Sequence, residues 1–170
     1  MNRQKWFDKK FSFEFSQDNY QSILAKLIEN PEKISNLVSS LPVTVLTHKI
    51  DNSWSIQENV GHLIDLEELH SNRIDDFIEG KETLKPADLN NKKTDEANHN
   101  NENISALLDK LKFVRKDFVN RIKSLDAEVL QRSSIHPRLK QPMRPIEMAQ
   151  FVLEHDEHHI ETIKELIKKL

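Results

Sequence analysis

Apolar residues recur along this chain at spacings of three and four, the pattern of amphipathic helices. In residues 18–40 the stripe is Tyr20, Ile23, Leu24, Leu27 and Ile28, then Ile34, Leu37, Val38 and Leu41. Pro31 falls inside it, removes a donor and crowds the preceding turn, so a kink or break is expected there. Pro42 closes the segment. Ser55-Ile56-Gln57-Glu58 reads as a capping box that opens a second helix, carrying Ile56, Val60, Leu63, Leu66, Ile74, Phe77 and Ile78. Gly80 follows where a left-handed cap is usual. The third helix, about residues 102–124, has the strictest stripe: Ile104, Leu107, Leu108, Leu111, Val114, Phe118, Ile122 and Leu125. The fourth begins at Pro145, a good first helical residue, and runs to about residue 169 through Met148, Phe151, Val152, Ile160, Ile163, Leu166 and Ile167.

Between these helices, residues 81–101 are polar, with Pro86 and a run of asparagines beginning at Asn90, and read as a long surface loop that is either a lid or simply mobile. A short turn of helix is expected at 126–131, and a proline-punctuated connection at 133–144. No segment alternates as a strand would. The expected architecture is all-α: a single domain over residues 1–170, an up-down-type four-helix bundle with one long crossover loop.

Composition narrows the chemistry. Lys and Arg total 25 against 28 Asp and Glu, a net charge of −3, which argues against a nucleic-acid binder. There is no cysteine, which excludes disulfides, thiolate metal sites and a cysteine nucleophile. Two glycines, Gly61 and Gly80, are too few for a Rossmann fingerprint, a P-loop or a nucleophile elbow. Residues 1–10 carry charges with no apolar run after them, and no stretch approaches the ~20 apolar residues of a membrane span. A cytoplasmic protein with no membrane partner is expected.

Histidines carry the remaining signal. His155 and His159 lie one turn apart and continue the stripe Met148, Val152, His155, His159, Thr162, Leu166, so both imidazoles point into the bundle. Taken alone, such a pair reads as readily as two satisfied core or rim histidines as it does as a bidentate metal clip. His62 adds weight. It sits among Val60, Leu63 and Leu66 and beside Gly61, whose cost in a helix calls for close packing or a metal nearby. Three histidines from two helices would form an open site suited to Zn²⁺ or Ni²⁺. Asp156 stands where a zincin needs Glu, which disfavours protease chemistry. Glu67-x-x-His70 supplies only one of the motifs a di-iron bundle requires, and the first and third stripes hold no carboxylate. His70 is expected beside the site or at the surface, and His158 beside the site or on its rim. His48, His99 and His136 are expected as ordinary loop histidines, with His99 or His136 able to reach a site mouth.

Trp54 to Asp65 (WSIQENVGHLID) resembles the W-S-x-x-E-x-x-x-H-L-x-D signature of DinB/YfiT-like proteins, and Phe151 to Ile160 (FVLEHDEHHI) resembles their last-helix H-x-x-H-H segment. Lys5-Trp6-Phe7 and Pro31 are also similar to this group. The resemblance spans nearly the whole chain and implies a metal-binding bundle with His62, His155 and His159 as ligands. It further implies a metal-dependent hydrolase, or a thiol S-transferase using a low-molecular-weight thiol such as bacillithiol. In such an enzyme the ion activates water or thiol, with Asp65 or Asp156 orienting ligand imidazoles. The alternative is a non-catalytic stress-related bundle whose metal is structural or supports dimerisation; a homodimer is plausible in either case.

Overall fold

A computed structural model describes residues 6–13 and 19–170. Residues 1–5 and 14–18, which include Lys5 and the expected start of the first helix at residue 18, lie outside the described residues. The elements are a 3₁₀ turn at Trp6–Asp8, α1 (Tyr20–Val38), α2 (Val43–Leu46), α3 (Ile56–Asp65), α4 (Glu67–Glu79), α5 (Lys92–Glu96), a 3₁₀ turn at His99–Asn101, α6 (Ile104–Lys123), α7 (Ala127–Gln131), strands β1 (Ser134–Ile135) and β2 (Pro142–Met143), and α8 (Pro145–Lys169).

Four long helical stretches form the bundle: α1, α3 with α4, α6, and α8. α1 packs chiefly on α6 and α8, α3 packs on the same two, and α4 packs on α6. The first two stretches, α1 and α3 with α4, therefore sit on one diagonal, and α6 and α8 on the other. Three expectations change in detail. α1 continues through the buried Pro31 without breaking. The second helix is interrupted at Leu66, whose amide bonds the carbonyls of His62 and Ile64, and α4 begins at Glu67. A minimal antiparallel hairpin pairs Ser134 with Met143 and Ile135 with Pro142, too short to leave an alternation in sequence. Gly80 does cap α4 in the left-handed region, at φ 68°. No described helix is long and apolar enough to cross a membrane.

The core falls into two apolar layers. One holds Ile23, Leu24, Leu27, Ile74, Phe77, Phe118, Val119, Met148 and Val152. The other holds Ile34, Val38, Val60, Leu63, Leu108, Leu111, Ile160 and Ile163. Along every long helix the switch from one layer to the other passes through buried polar residues: Asn30 on α1, His62, Glu67 and His70 on α3 and α4, Arg115 on α6, and His155, Asp156 and His159 on α8. The bundle is thus crossed at mid-height by a buried polar belt. Burying unpaired polar atoms costs ~1–3 kcal/mol each, so the belt has to be held by specific partners.

Candidate metal centre

The local fold explains how three imidazoles meet. The Ser55 hydroxyl accepts from the Glu58 amide while Glu58 Oε2 accepts from the Ser55 amide, which fixes the first turn of α3 and the phase of His62 two turns on. The Arg144 amide and guanidinium both donate to the Glu147 carboxylate at the start of α8, whose unbroken length carries His155 and His159 on one face. The three rings lie buried, with centroids 5.4 Å (His62 to His155), 4.9 Å (His62 to His159) and 4.6 Å (His155 to His159) apart. One ligand atom from each lies within 4.8 Å of the others. The Nε2 atoms of His155 and His159 are 3.2 Å apart. Nitrogens held at ~2.0–2.1 Å by a tetrahedral zinc stand ~3.3 Å apart, so the spacing and donor set fit such an ion.

Partners on the outer nitrogens aim the inner ones. Asn59 Nδ2 donates to the Ser55 carbonyl, leaving Oδ1 to accept from His159 Nδ1 at 2.8 Å. His62 Nδ1 donates to Thr94 Oγ1 at 3.0 Å, and the Thr94 hydroxyl donates to Asp65 Oδ2 at 2.9 Å. His99 Nε2 donates to the same carboxylate oxygen at 2.8 Å. Both Nδ1 atoms therefore carry the proton, and the Nε2 lone pairs face inward. Burial pushes His62 down to about 4, and burial and then the neighbouring His62 hold His155 well below the ordinary histidine value. Both are neutral at pH 7, as metal ligands must be. Burial alone would raise the Asp65 carboxyl, but the bonds from His99 and Thr94 outweigh it and keep it below the usual range.

Residues 81–101 are not a plain surface loop. Their α5 and 3₁₀ turn bring Thr94 and His99 beneath α3, where both are buried. Gln57 Nε2 donates to the carbonyls of His99 and Glu102, and the Ser55 hydroxyl donates to Asn100 Oδ1. Gly61 serves this contact rather than a second backbone or a metal: a Cβ there would lie 2.2 Å from the His99 ring.

Other expectations are sorted as follows. Asp65 acts on His62 through Thr94. Asp156 does not orient a ligand, because it lies 100° round the helix from His155 and binds Arg115 and Asn30 instead. His158 lines the rim, its ring against Trp6 and His159. His70 is buried against Glu67. His48 is exposed. His136 is no ordinary loop residue, being buried against Arg73. Asn59 and Thr94 were not expected; Asn59, one turn before His62 on the same helix, offered the only sequence cue.

The trio opens onto a cavity of about 410 Å³ whose wall includes Trp6, Trp54, Arg73, Arg138 and Phe151. The Trp54 ring lies tilted against His62 at 4.5 Å and is pinned by its Nε1 donating to Asp95.

The structure is similar to that of YfiT from Bacillus subtilis, described as a probable metal-dependent hydrolase with an unusual four-helix bundle topology, with TM-score 0.77, 22% identity, and 95% of this chain and 93% of that one covered. It is also similar to the mycothiol-dependent maleylpyruvate isomerase, with TM-score 0.66 and 10% identity over 83% of this chain and 59% of that one. At these identities the likeness shows the fold. Among curated proteins none matches the sequence. The family model of the DinB superfamily matches residues 26–163, and the chain belongs to that superfamily.

Proposed function

We propose that this chain is a metal-dependent enzyme in which His62, His155 and His159 hold a divalent ion, zinc or nickel, beside a cavity that admits a small-molecule substrate. The observation that carries this reading is the convergence of three buried imidazoles, two with their outer nitrogens tied down, on a cavity of about 410 Å³. A structural ion is enclosed by its ligands, whereas three protein ligands facing a cavity leave a position for chemistry. When bound, the ion supplies Lewis acidity that makes a water or a small thiol nucleophilic at neutral pH. The reaction is then hydrolysis, or transfer of a low-molecular-weight thiol to an electrophile. The descriptions of YfiT as a probable metal-dependent hydrolase and of the isomerase as mycothiol-dependent support this class.

The chain's own residues do the positioning. Asn59 and Thr94 keep the Nδ1 protons of His159 and His62 outward, and Asp65 anchors Thr94. Trp6 lies edge-on to His155 at 4.8 Å and, with Trp54, excludes water from the flanks of the imidazoles. Neither group transfers a proton; both fix where the lone pairs point.

The test is turnover by zinc- or nickel-loaded protein on a panel of small esters and on thiol addition to soft electrophiles. Activity is expected to vanish on chelation and in His159→Ala, and to return on reloading the wild type. Turnover that survives chelation in all three histidine variants would sink the mechanism. An inert loaded protein that unfolds on chelation would leave the ion as a structural group.

A further inference from the structure

The wall of the same cavity holds two arginines that the metal chemistry does not use. Arg73, on α4, is fully buried; Arg138 lies in the turn between β1 and β2. Both line the cavity that contains the three histidines. Buried guanidinium groups are normally matched by carboxylates. Here, among the described residues, neither has one. Arg73 Nε donates to the Lys85 carbonyl at 2.9 Å. Asp76, which acts on Arg73 through space, takes the Lys85 amide, and the cavity-lining Asp88 takes the amides of Asn90 and Lys92. Arg138 is boxed by the rings of Trp6, Phe7, Phe11 and Phe151 at 5.4–5.9 Å, and its Nη2 is buried without a hydrogen-bond partner.

His136 sharpens the mismatch. Its Nδ1 accepts from the Leu139 amide at 3.2 Å. Burial, and then the two arginines, push its pKa down to about 3, so the ring is neutral and the single proton sits on Nε2. That Nε2 lies 3.2 Å from Arg73 Nη1, which can only donate. Two donors thus face each other, with a third, Arg138 Nη2, unpaired in the same cavity wall. Such a cluster lacks an acceptor, and it carries net positive charge. Burial brings Arg73 down to about 10, which still leaves it charged at neutral pH.

We propose that Arg73, Arg138 and His136 form a carboxylate-binding subsite, so that the substrate reacting at the three histidines is a small carboxylic acid. A carboxylate offers the acceptors that these donors lack, and guanidinium groups bind it with fixed orientation. The aromatic box around Arg138 takes the apolar part of the molecule. This assignment rests on the proposed metal-dependent function for the meaning of the reacting end, but not for the binding itself.

The experiment is calorimetric titration of phenylacetate and its neutral counterpart phenylacetamide into the zinc-loaded chain and its Arg138→Gln, Arg138→Lys and His62→Ala variants, each checked for folding by thermal melting. Phenylacetate is expected to bind at least ~10-fold more tightly than the amide, the preference disappearing in Arg138→Gln and returning in part in Arg138→Lys. It should persist in His62→Ala, which keeps both arginines; that result stands even if the wild type proves to bind no metal. Arg73→Lys, which keeps the charge but loses the fork, should weaken the preference in the same way and replaces Arg138→Gln should that variant not fold. Equal binding of acid and amide, binding of neither, or a preference unchanged in Arg138→Gln would overturn the subsite. A preference lost in His62→Ala but kept in Arg138→Gln would place the carboxylate on the metal, overturning the subsite while leaving the metal reading intact.

Discussion

The two halves of the buried polar belt solve the same problem in opposite ways. Both draw on adjacent residues of α8. On one face, His155 and His159 join His62 next to a cavity, with His62 and His159 oriented by the neutral Thr94 and Asn59. On the other, Asp156 Oδ1 accepts from Arg115 Nη2 at 2.7 Å, Arg115 Nη1 lies 2.9 Å from Glu67 Oε1, and Asn30 and His70 complete the cluster. That half is charged and spanned by one cation between two carboxyls. Burial raises Glu67 to about 7 and Asp156 to about 6, because a single guanidinium does not compensate both for lost water. The contrast teaches that burial favours neutral imidazoles, which suits a metal, and disfavours ionised carboxyls, which Arg115 offsets only in part.

The largest way to break this contrast is to remove that cation. Arg115→Met leaves two buried carboxyls without a counter-charge and should cost ~3–5 kcal/mol in urea unfolding. Adding Glu67→Gln and Asp156→Asn should recover much of that loss, since an unpaired charge rather than a lost contact is the cause. No recovery would mean that Arg115 matters through packing alone.

A smaller effect is expected from Gly61→Ala. The added methyl meets the His99 ring, and overpacking of this kind costs ~1–3 kcal/mol. Displacing His99 also loosens Asp65, so zinc binding, followed by competition with a chelating dye, should weaken in the same variant. Thr94→Val removes both the acceptor of His62 Nδ1 and the donor to Asp65 Oδ2, so metal affinity should fall ~10–100-fold, with ~1–3 kcal/mol lost from the fold.

The smallest effect is a pH signature of opposite sign at His62 and at Glu67. His62, depressed to about 4 in the metal-free fold, makes the unfolded chain the better proton binder between pH 6.5 and 4, so stability falls on acidification in that window. Glu67, raised from 4.5 to about 7, makes the folded chain the better binder between those values, so stability falls as pH rises through them. The slopes oppose each other between about 4.5 and 6.5. Glu67→Gln should therefore steepen the acid loss of the metal-free protein, by up to ~1.4 kcal/mol per pH unit for each titrating group. An unchanged slope would remove Glu67 from the account.

The helices and the histidine trio were legible because both are local. Periodicity places Met148 to Leu166 on one face of α8, and the Ser55 box sets the phase of His62. Arg115 was also within reach, lying in the stripe between Leu111 and Phe118, where a charge needs a buried partner. The roles of Thr94, His99 and His136 were not legible. Each depends on a segment meeting a distant helix, and nothing in a polar stretch such as 81–101 records that Gly61 has made room for one of its rings. The break at Leu66 is of the same kind, since an apolar residue in register carries no sign of an interruption.

The central claim is that His62, His155 and His159 hold one metal ion together. It is tested most directly by metal content per chain, measured by mass spectrometry on untagged protein loaded with zinc or nickel, for the wild type and for His62→Ala, His155→Ala and His159→Ala. The account predicts about one equivalent in the wild type, lost in each variant. A wild type that binds no ion, or variants that keep theirs, would contradict it.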